Sequence, residues 1–364
     1  MTQDATAKQR ATRRPLRQIA GRGTVIAVLL LTLLLAAAVA VTIGAAGIPL
    51  ARLPAALGLP FGSTDPAMLQ RDTLVLWSVR LPRIALAIIV GALLAASGAV
   101  MQGLFRNPLA DPALVGVSSG GALAAAGTIV IGDRIAAQGK GAVALEFLPF
   151  AAFLGSLVAT SVLYRVATRE HRTSIAVFLL GGLAIAALTN AGIGLLVFIA
   201  DDRQLRDVTF WLLGSLSGAT WAKVMIVAPF LAAMLAATPL IARGLDLLVL
   251  GETEAYHMGI QVERLKKTAI VLVAAMTGAA VAFAGVIGFV GIVVPHILRL
   301  VLGPGHRLLL PASACLGAIL MIAADTCART IAAPAEVPIG ILTALVGAPF
   351  FLGVLLRQRA LAGL

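Results

Sequence analysis

Charged side chains are scarce in this sequence. Asp, Glu, Lys and Arg make up 12% of its 364 residues, whereas hydrophobic residues make up 60% and the mean hydropathy is +1.01. A soluble protein of this length needs far more charge to cover its surface. The composition therefore excludes a soluble enzyme or binding module, and it predicts an all-α protein that crosses a membrane many times.

Residues for disulfides and metal sites are also few. The chain has two cysteines, Cys315 and Cys327, and four histidines, so we expect neither a disulfide framework nor a four-ligand metal site. Aromatic residues amount to 5%, and Ala, Leu, Val and Gly dominate, which is typical of helices that pack closely in lipid. We expect no bound metal and no permanently bound cofactor.

Catalytic and energy-coupling motifs are missing as well. There is no G-x-x-x-x-G-K-[ST] phosphate loop, since Gly139 and Lys140 are followed by Gly141, and the chain cannot hydrolyse ATP by that chemistry. We find no HExxH spacing, no intramembrane nucleophile–base pair and no channel filter. The middles of the apolar runs lack acids and bases, so an ion-coupled carrier has no charge relay. These absences leave a passive conduit or a subunit driven by another protein.

Nine long runs without acidic or basic residues are the candidate spans. As one straight helix, the run 268–298 would be roughly 46 Å long, against a hydrocarbon core of about 30 Å. Its glycines predict two helices with a turn between Gly285 and Gly288, which makes ten spans and places both termini on one side. The other runs are 24–51, 84–105, 112–132, 147–164, 173–200, 224–242, 308–324 and 337–356.

The distribution of charge predicts the orientation. With both termini in the cytoplasm, 18 of the 28 basic residues but only 7 of the 16 acidic residues lie on the inner side. This bias follows the positive-inside rule, so the high isoelectric point requires no nucleic-acid partner. We predict a cytoplasmic tail (1–23), one transmembrane domain (24–357) and a second cytoplasmic tail (358–364). The alternative of a signal peptide at 1–47 fails because its apolar stretch is too long.

One inner segment is too long to be a simple turn. The segment 243–267 carries four acids and four bases, and its part 245–259 has the pattern of a short amphipathic helix. It is either a solvated loop or a surface whose apolar face is covered by a cytosolic partner.

Five ordered segments resemble the signature of the permeases of iron-chelate and cobalamin ABC importers. They extend from the second span to the C-terminus and leave only the first span and the N-terminal tail unmatched. They read RLPRIALAIIVGALLAASGAVMQGLFRNPLADPALVGVSSGGAL (80–123), WLLGSLSGATW (211–221), LVLGETEAYHMG (248–259), AGVIGFVGIVVPHILRLVLGPGHRLLLP (284–311) and ADTCARTIAAPAEVPIGILTALVGAPFF (324–351).

The resemblance implies a ten-helix permease in the bacterial inner membrane that works as a homodimer. It also implies two cytosolic ABC ATPase subunits, on which ATP acts, and a periplasmic binding protein. Within this family, several stretches are similar to haem permeases: the segment 198–221, MQGLFRNPLADP, ARTIAAPAEVPIG and the terminal LLRQR. We therefore expect haem as the transported substrate and a haem-binding protein as the partner, with a ferric siderophore or cobalamin as the alternative.

Three arginines are candidates for docking the binding protein. Arg80 and Arg83 precede the second span and Arg329 follows the ninth, on the side where the orientation rule disfavours basic residues. One interpretation is that they only reach toward the interface. The resemblance instead implies that they bind glutamates of the binding protein, for which the arginine fork is suited.

The inner ends of the second to fifth spans contain the predicted cytoplasmic gate. By resemblance, Asn107 and Leu109 in RNPLADP and His171, Thr173 and Ser174 in HRTS match gate positions. The alternative for Asn107 is a cap at a turn that the neighbouring prolines impose.

The remaining candidates are the fifth span, placed at the pathway by resemblance, the histidines, and the amphipathic segment whose apolar face has no membrane to enter. The fifth span should line the pathway, where Asn190 is either a wall residue or a hydrogen-bonding contact between helices. The histidines are expected to be structural or solvated, and not haem ligands. The residues predicted to couple to the ATPase are Leu248, Gly251, Glu252, Glu254, His257 and Gly259.

Overall fold

We describe the fold from a computed structural model of the chain. The structure describes residues 21–44, 48–59, 65–135, 143–170 and 172–362. Most of the predicted N-terminal tail, the last two residues and His171 lie outside these described residues.

The described residues form α-helices and one very small hairpin. Strands β1 (Thr168–Arg169) and β2 (Arg172–Thr173) pair antiparallel, with Thr168 opposite Thr173. The helices are α1 (Arg22–Thr42), α2 (Leu53–Ala56), α3 (Pro66–Val75), α4 (Leu81–Leu104), α5 (Val117–Ile135), α6 (Val143–Ala167), α7 (Ile175–Ile199), α8 (Asp202–Leu213), α9 (Trp221–Leu248), α10 (Glu252–His257), α11 (Val262–Ala284), α12 (Val290–Leu302), α13 (His306–Ile331) and α14 (Ile339–Ala362).

Helix α4 lies at the centre of the bundle. It packs against α9, α11, α12 and α13, and from Pro82 to Leu104 nearly every residue is buried. Glycines make this possible, because a Cβ atom at Gly98 would overlap the carbonyl oxygen of Gly291 on α12. Backbones that approach so closely compensate for the lack of a hydrophobic driving force between helices in lipid.

A π-helical turn, Leu76–Arg80, joins α3 to α4 in one continuous helix. Pro82 lies two residues after its end and has no N–H to donate, so a regular hydrogen-bonding pattern cannot run through this point. The turn places Arg80 and Arg83 at the same end of the bundle as the C-terminal end of α13. We call this the outer end, because the charge distribution assigns it to the outside, and we call the opposite end the inner end.

The predicted division of the run 268–298 is confirmed. Helix α11 ends at Ala284, Gly285 takes a φ of 71° that favours glycine, and α12 begins at Val290. Helix α12 has 13 residues, about 20 Å, so it crosses only part of a bilayer.

The described helices agree with the predicted fold class, an all-α protein with about ten spans. Seven of them are long and apolar enough to cross a membrane, and three shorter apolar helices correspond to the third, eighth and tenth predicted spans. Several boundaries differ from the prediction. Helix α1 ends at Thr42 instead of continuing to residue 51, and most of 243–267 is helical because α9 extends to Leu248, α10 lies within it and α11 begins at Val262.

We predict that Gly98→Ala lowers the free energy of unfolding by about 1–3 kcal/mol, the usual cost of overpacking. The added methyl group would meet the backbone of Gly291, which cannot move without displacing α12. Gly127→Ala is the matched control, since a Cβ atom there meets open space. Unfolding of the purified protein in detergent measures both, and equal stability of the two variants would contradict the packing argument.

Candidate functional site

Arg83 is the centre of a buried ion-pair cluster at the outer end. Its Nε lies 2.9 and 3.1 Å from the two carboxylate oxygens of Asp325, and its Nη2 lies 2.8 Å from Asp325 Oδ1. Its Nη1 and Nη2 also donate to Glu336, at 2.8 and 2.9 Å. The side chain of Asp325 is 2% exposed and that of Glu336 is 39% exposed. Arg83 thus holds one buried carboxylate and one that solvent reaches.

Arg80 and Arg329 complete this outer cluster and attach it to α1. Arg80 is buried and donates to the carbonyl oxygen of Val41, near the C-terminal end of α1. Arg329 lies 3.1 Å from Asp325 and donates to the carbonyl oxygen of Ile43 at 3.2 Å. Carbonyls at a helix C-terminus lack partners within the helix and carry partial negative charge, so the two guanidinium groups stabilise that end of α1.

The three arginines predicted to dock a binding protein are therefore brought together, with a net charge of +1 when Asp325 and Glu336 are counted. They border a small cavity of about 190 Å³ that Gly44, Val79 and Glu336 also line. Sequence reasoning missed the two carboxylates. A signal existed for Asp325, because it lies four residues before Arg329 on one helix face.

At the inner end, Asn107 closes the turn between α4 and α5. Its side-chain oxygen accepts a hydrogen bond from the Leu109 N–H at 3.0 Å, and its carbonyl oxygen accepts one from the Ala110 N–H. The capping role considered for Asn107 is thus present, with Asn107 exposed and Leu109 half-buried. Whether either residue also forms a gate stays a prediction.

The β1–β2 hairpin carries the second predicted gate segment. Thr173 is buried, and its hydroxyl lies 3.1 Å from that of Thr168. Ser174 is exposed and caps α7 by accepting from the Val177 N–H at 3.4 Å. The ring of Phe178, one turn into α7, lies 5.9 Å from that of Phe105 at the end of α4, so the two gate segments are neighbours.

The predicted coupling segment forms the short helix α10, flanked by Gly251 and Gly259. Glu254 and His257 are exposed, whereas Glu252 is half-buried. The exposed apolar side chains of this region are Val249, Leu250, Tyr256 and Met258.

Leu248 has no exposed surface and belongs to the core at the end of α9. Its predicted place on a surface that meets the ATPase is therefore wrong. Leu248 instead anchors the end of α9 in the core, because burial of a leucine side chain is more favourable than its exposure to water.

A buried lysine that sequence reasoning missed joins the hairpin to α10. Lys266 Nζ lies 2.8 Å from Glu252, 3.0 Å from Glu263 and 3.2 Å from the Thr173 carbonyl oxygen. Its i,i+3 spacing from Glu263 was the only local signal. These groups line one cavity of about 450 Å³, the inner cavity, whose lining residues are Arg106, Arg172, Thr173, Ser174, Ile175, Glu252, Glu263 and Lys266.

Asn190 lies on the exposed side of α7, among exposed leucines such as Leu183 and Leu188. A third cavity, which is apolar and has a volume of about 530 Å³, lies near the outer end, between α8, the α11–α12 break and α14. The residues that line it are Leu212, Leu213, Val286, Gly288, Gly340, Ile341, Ala344, Leu345, Ala348 and Pro349.

Two of the described histidines are buried. His306 is fully buried, and its Nδ1 and backbone N–H both lie 2.7 Å from Asp246 at the end of α9. The ring of His296 packs edge-on against that of Phe350 at 6.0 Å. His257 is exposed on α10. Among the described residues, no cluster of three or more His, Cys, Asp or Glu side chains could hold a metal ion.

Comparison with known proteins gives consistent matches over most of the chain. The model of the FecCD transport family matches residues 25–357. The chain is 45% identical over 298 residues to the hemin transport system permease protein HmuU of Yersinia pestis, covering 82% of this chain and 86% of that protein. It is 42% identical over 325 residues to the cobalamin import system permease protein BtuC of Halobacterium salinarum, covering 89% and 84%.

The fold is also similar to a solved structure, described as an inward-facing conformation of a metal-chelate type ABC transporter. The TM-score is 0.79 at 33% sequence identity, and the match covers 92% of this chain and 99% of that one. The structural similarity therefore extends over most of the chain, and the residues that the family model matches, 25–357, include both polar clusters.

We predict that the two carboxylates of the outer cluster differ in their contribution to stability. Asp325→Asn should lower the free energy of unfolding by about 3 kcal/mol or more, because it leaves Arg83 and Arg329 buried without a full counter-charge. Glu336→Gln should cost less than about 1 kcal/mol, since water can replace this exposed carboxylate. Unfolding in detergent measures both variants, and similar losses would show that burial does not separate them.

Proposed function

This chain belongs to the FecCD transport family and is the permease subunit of an ATP-binding-cassette importer, and from this premise we propose that the substrate it transports is haem. Permeases of this family are not enzymes, and the ATPase activity lies in a partner subunit. The family also implies a substrate-binding protein as a partner. The proposal concerns the substrate, the docking of that protein and the assembly of the complex.

The apolar cavity near the outer end carries the substrate proposal. Haem is a flat and largely apolar molecule, and every residue that lines this cavity is apolar or a glycine. Its volume, about 530 Å³, lies in the range of small-molecule sites. Leu212 and Leu213 belong to the segment 198–221, which is one of the stretches similar to haem permeases. An apolar wall lets such a molecule pass without a polar site that would retain it.

Cobalamin and ferric siderophores are the competing substrates. One relative is named for hemin and is 45% identical, and another is named for cobalamin and is 42% identical. Sequence identity alone therefore gives haem only a small advantage. Both competitors carry more polar groups than haem, and burial of these groups without partners would be costly in an apolar cavity.

The assembly we propose is a homodimer in the bacterial inner membrane with both termini in the cytoplasm. The bias of basic residues to the inner side supports the orientation. Asn190 supports the dimer, because an amide on an exposed helix face is unfavourable in lipid. A face of α7 turned toward a second copy, or toward a hydrated pathway between the copies, removes that cost.

The outer cluster is the proposed docking surface for the periplasmic haem-binding protein. The cluster has three arginines and two carboxylates. Glu336, which is partly exposed to solvent, accepts hydrogen bonds from Nη1 and Nη2 of Arg83. A glutamate of the partner could take this position with the same two hydrogen bonds. The exposed carboxylate therefore resembles the partner group that we expect to replace it.

The inner end is the proposed site for the two ATPase subunits. Helix α10 presents Glu254, His257 and the exposed apolar side chains Tyr256 and Met258. Apolar groups outside the membrane are best satisfied by a protein partner. The gate segments at Asn107 and Thr173 lie at the same end. The proposed exit for the substrate is therefore close to the helix on which the ATPase subunit is proposed to act.

We predict that the haem-loaded binding protein stimulates ATP hydrolysis and haem uptake in proteoliposomes that contain the permease and its ATPase. Binding proteins loaded with cobalamin or a ferric siderophore should leave both near their basal level, because the cavity offers their polar groups no partners. Transport of either competitor without transport of haem would refute the substrate and leave membership of the family intact.

We predict that Glu336→Gln tightens the binding of the haem-binding protein by roughly fivefold, since an exposed ion pair is worth up to ~1 kcal/mol. The substitution removes the negative charge and releases at least one donor of Arg83 for the partner's carboxylate, because the amide nitrogen of glutamine cannot accept a hydrogen bond. Asp202→Asn, which removes the same charge from an exposed position on α8, is the control. Equal effects of the two variants on affinity would indicate net charge alone, and no effect of Glu336→Gln would exclude docking at Arg83.

A further inference from the structure

Lys266 is a charged side chain in a position where charge is costly. It lies in the second turn of α11, and its side chain is 3% exposed. A buried ammonium group is tolerated only when its hydrogen atoms find acceptors. Three acceptors surround it, and they come from three different elements: α10, α11 and the β1–β2 hairpin.

The contacts to the hairpin bind both backbone groups of one residue. Lys266 donates to the Thr173 carbonyl oxygen at 3.2 Å, and Glu263 Oε2 accepts from the Thr173 N–H at 3.0 Å. Glu263 Oε1 lies 3.0 Å from Lys266 Nζ. The Lys266–Glu263 pair thus fixes Thr173 to α11, one residue before Ser174 caps α7.

The remaining contact joins Lys266 to α10. Glu252 lies at the first position of α10 and reaches Lys266 Nζ at 2.8 Å. Its side chain is 39% exposed, so this is a charge-assisted hydrogen bond at the edge of the core. Through Lys266, the helix that faces the cytosol is joined to the residue where the predicted pathway helix begins.

We propose that Lys266 is a positioning residue that transmits movement of α10 to the hairpin and the start of α7. The inference rests on the proposed function, since it assumes that the ATPase subunit acts on α10. A displacement of α10 must either carry Lys266 and Thr173 with it or break the bond to Glu252. Lys266 therefore links the energy input to the gate, and does not touch the substrate.

The test compares Lys266→Met with wild type in the reconstituted complex of permease, ATPase and loaded binding protein. The probe is haem, or cobalamin if the wild-type complex transports that instead. Methionine keeps the length of the side chain and removes its charge. The amount of substrate moved per ATP hydrolysed should fall by roughly tenfold or more, the scale of one lost charge-assisted hydrogen bond, and Lys266→Arg should restore most of it.

Lys267→Met is the matched control, because Lys267 is exposed. The amount of substrate that this variant moves per ATP hydrolysed should equal that of wild type. A purely structural role would lower the yield of the complex while leaving the ratio unchanged, and that result would overturn the proposal. If Lys266→Met does not assemble, Glu252→Gln separates only α10 from the lysine and leaves the bonds to Thr173. A wild-type ratio in Glu252→Gln would then refute the link.

A second measurement needs neither substrate nor ATPase. Hydrogen exchange of the peptide that contains Thr173 should accelerate in purified Lys266→Met, and also in Glu252→Gln, although Glu252 itself makes no hydrogen bond to Thr173 among the described contacts. Unchanged exchange in both variants would overturn the proposal at the level of structure. Absence of transport by the wild-type complex would refute the proposed function, and it would leave the exchange result valid.

Discussion

The bundle depends on the close approach of backbones around α4. In lipid, apolar side chains gain little by leaving the solvent, so helices associate through fit and through polar contacts. Gly98 and Gly91 allow α12 and α13 to touch α4 at the level of the backbone, where any side chain would intrude. Because α4 is enclosed in this way, its two ends are fixed relative to each other. The polar clusters at those ends inherit their geometry from this packing.

In the described part of the chain, the buried ion pairs of Asp325 and Lys266 lie at the two ends of the bundle, and they are organised differently at each. At the outer end, Asp325 lies at the bottom of a cluster of arginines and draws α1, α4 and α13 together. At the inner end, Lys266 lies among carboxylates and joins the hairpin, α10 and α11. In both places a buried basic side chain binds at least one carboxylate that is partly exposed: Glu336 at Arg83, and Glu252 and Glu263 at Lys266. Such a partner can exchange with a group from another protein at less cost than a fully buried one.

The apolar cavity near the outer end is suited to the proposed passage of a molecule more than to its tight binding. The cavity near the α11–α12 break is apolar, and the break itself exists because Gly285 takes a conformation that other residues avoid. A transport subunit gains nothing from holding its cargo tightly, since affinity in the pathway slows release. Discrimination in such a cavity comes from the cost of burying polar groups without partners, and it does not require tight binding of the cargo.

The sequence by itself determined the class, the spans and the family. The apolar runs predicted the helices, the glycines between 285 and 288 predicted the break, and the pattern of 245–259 predicted a short helix where α10 lies. These features are local, because they depend on composition and spacing within one segment. Only the tertiary structure decided which charges meet. Arg83 and Asp325 are 242 positions apart, and Lys266 and Thr173 are 93 apart. The same packing buried Leu248, which an amphipathic pattern had assigned to the surface, because burial depends on the neighbours that the bundle supplies and not on the periodicity of one segment.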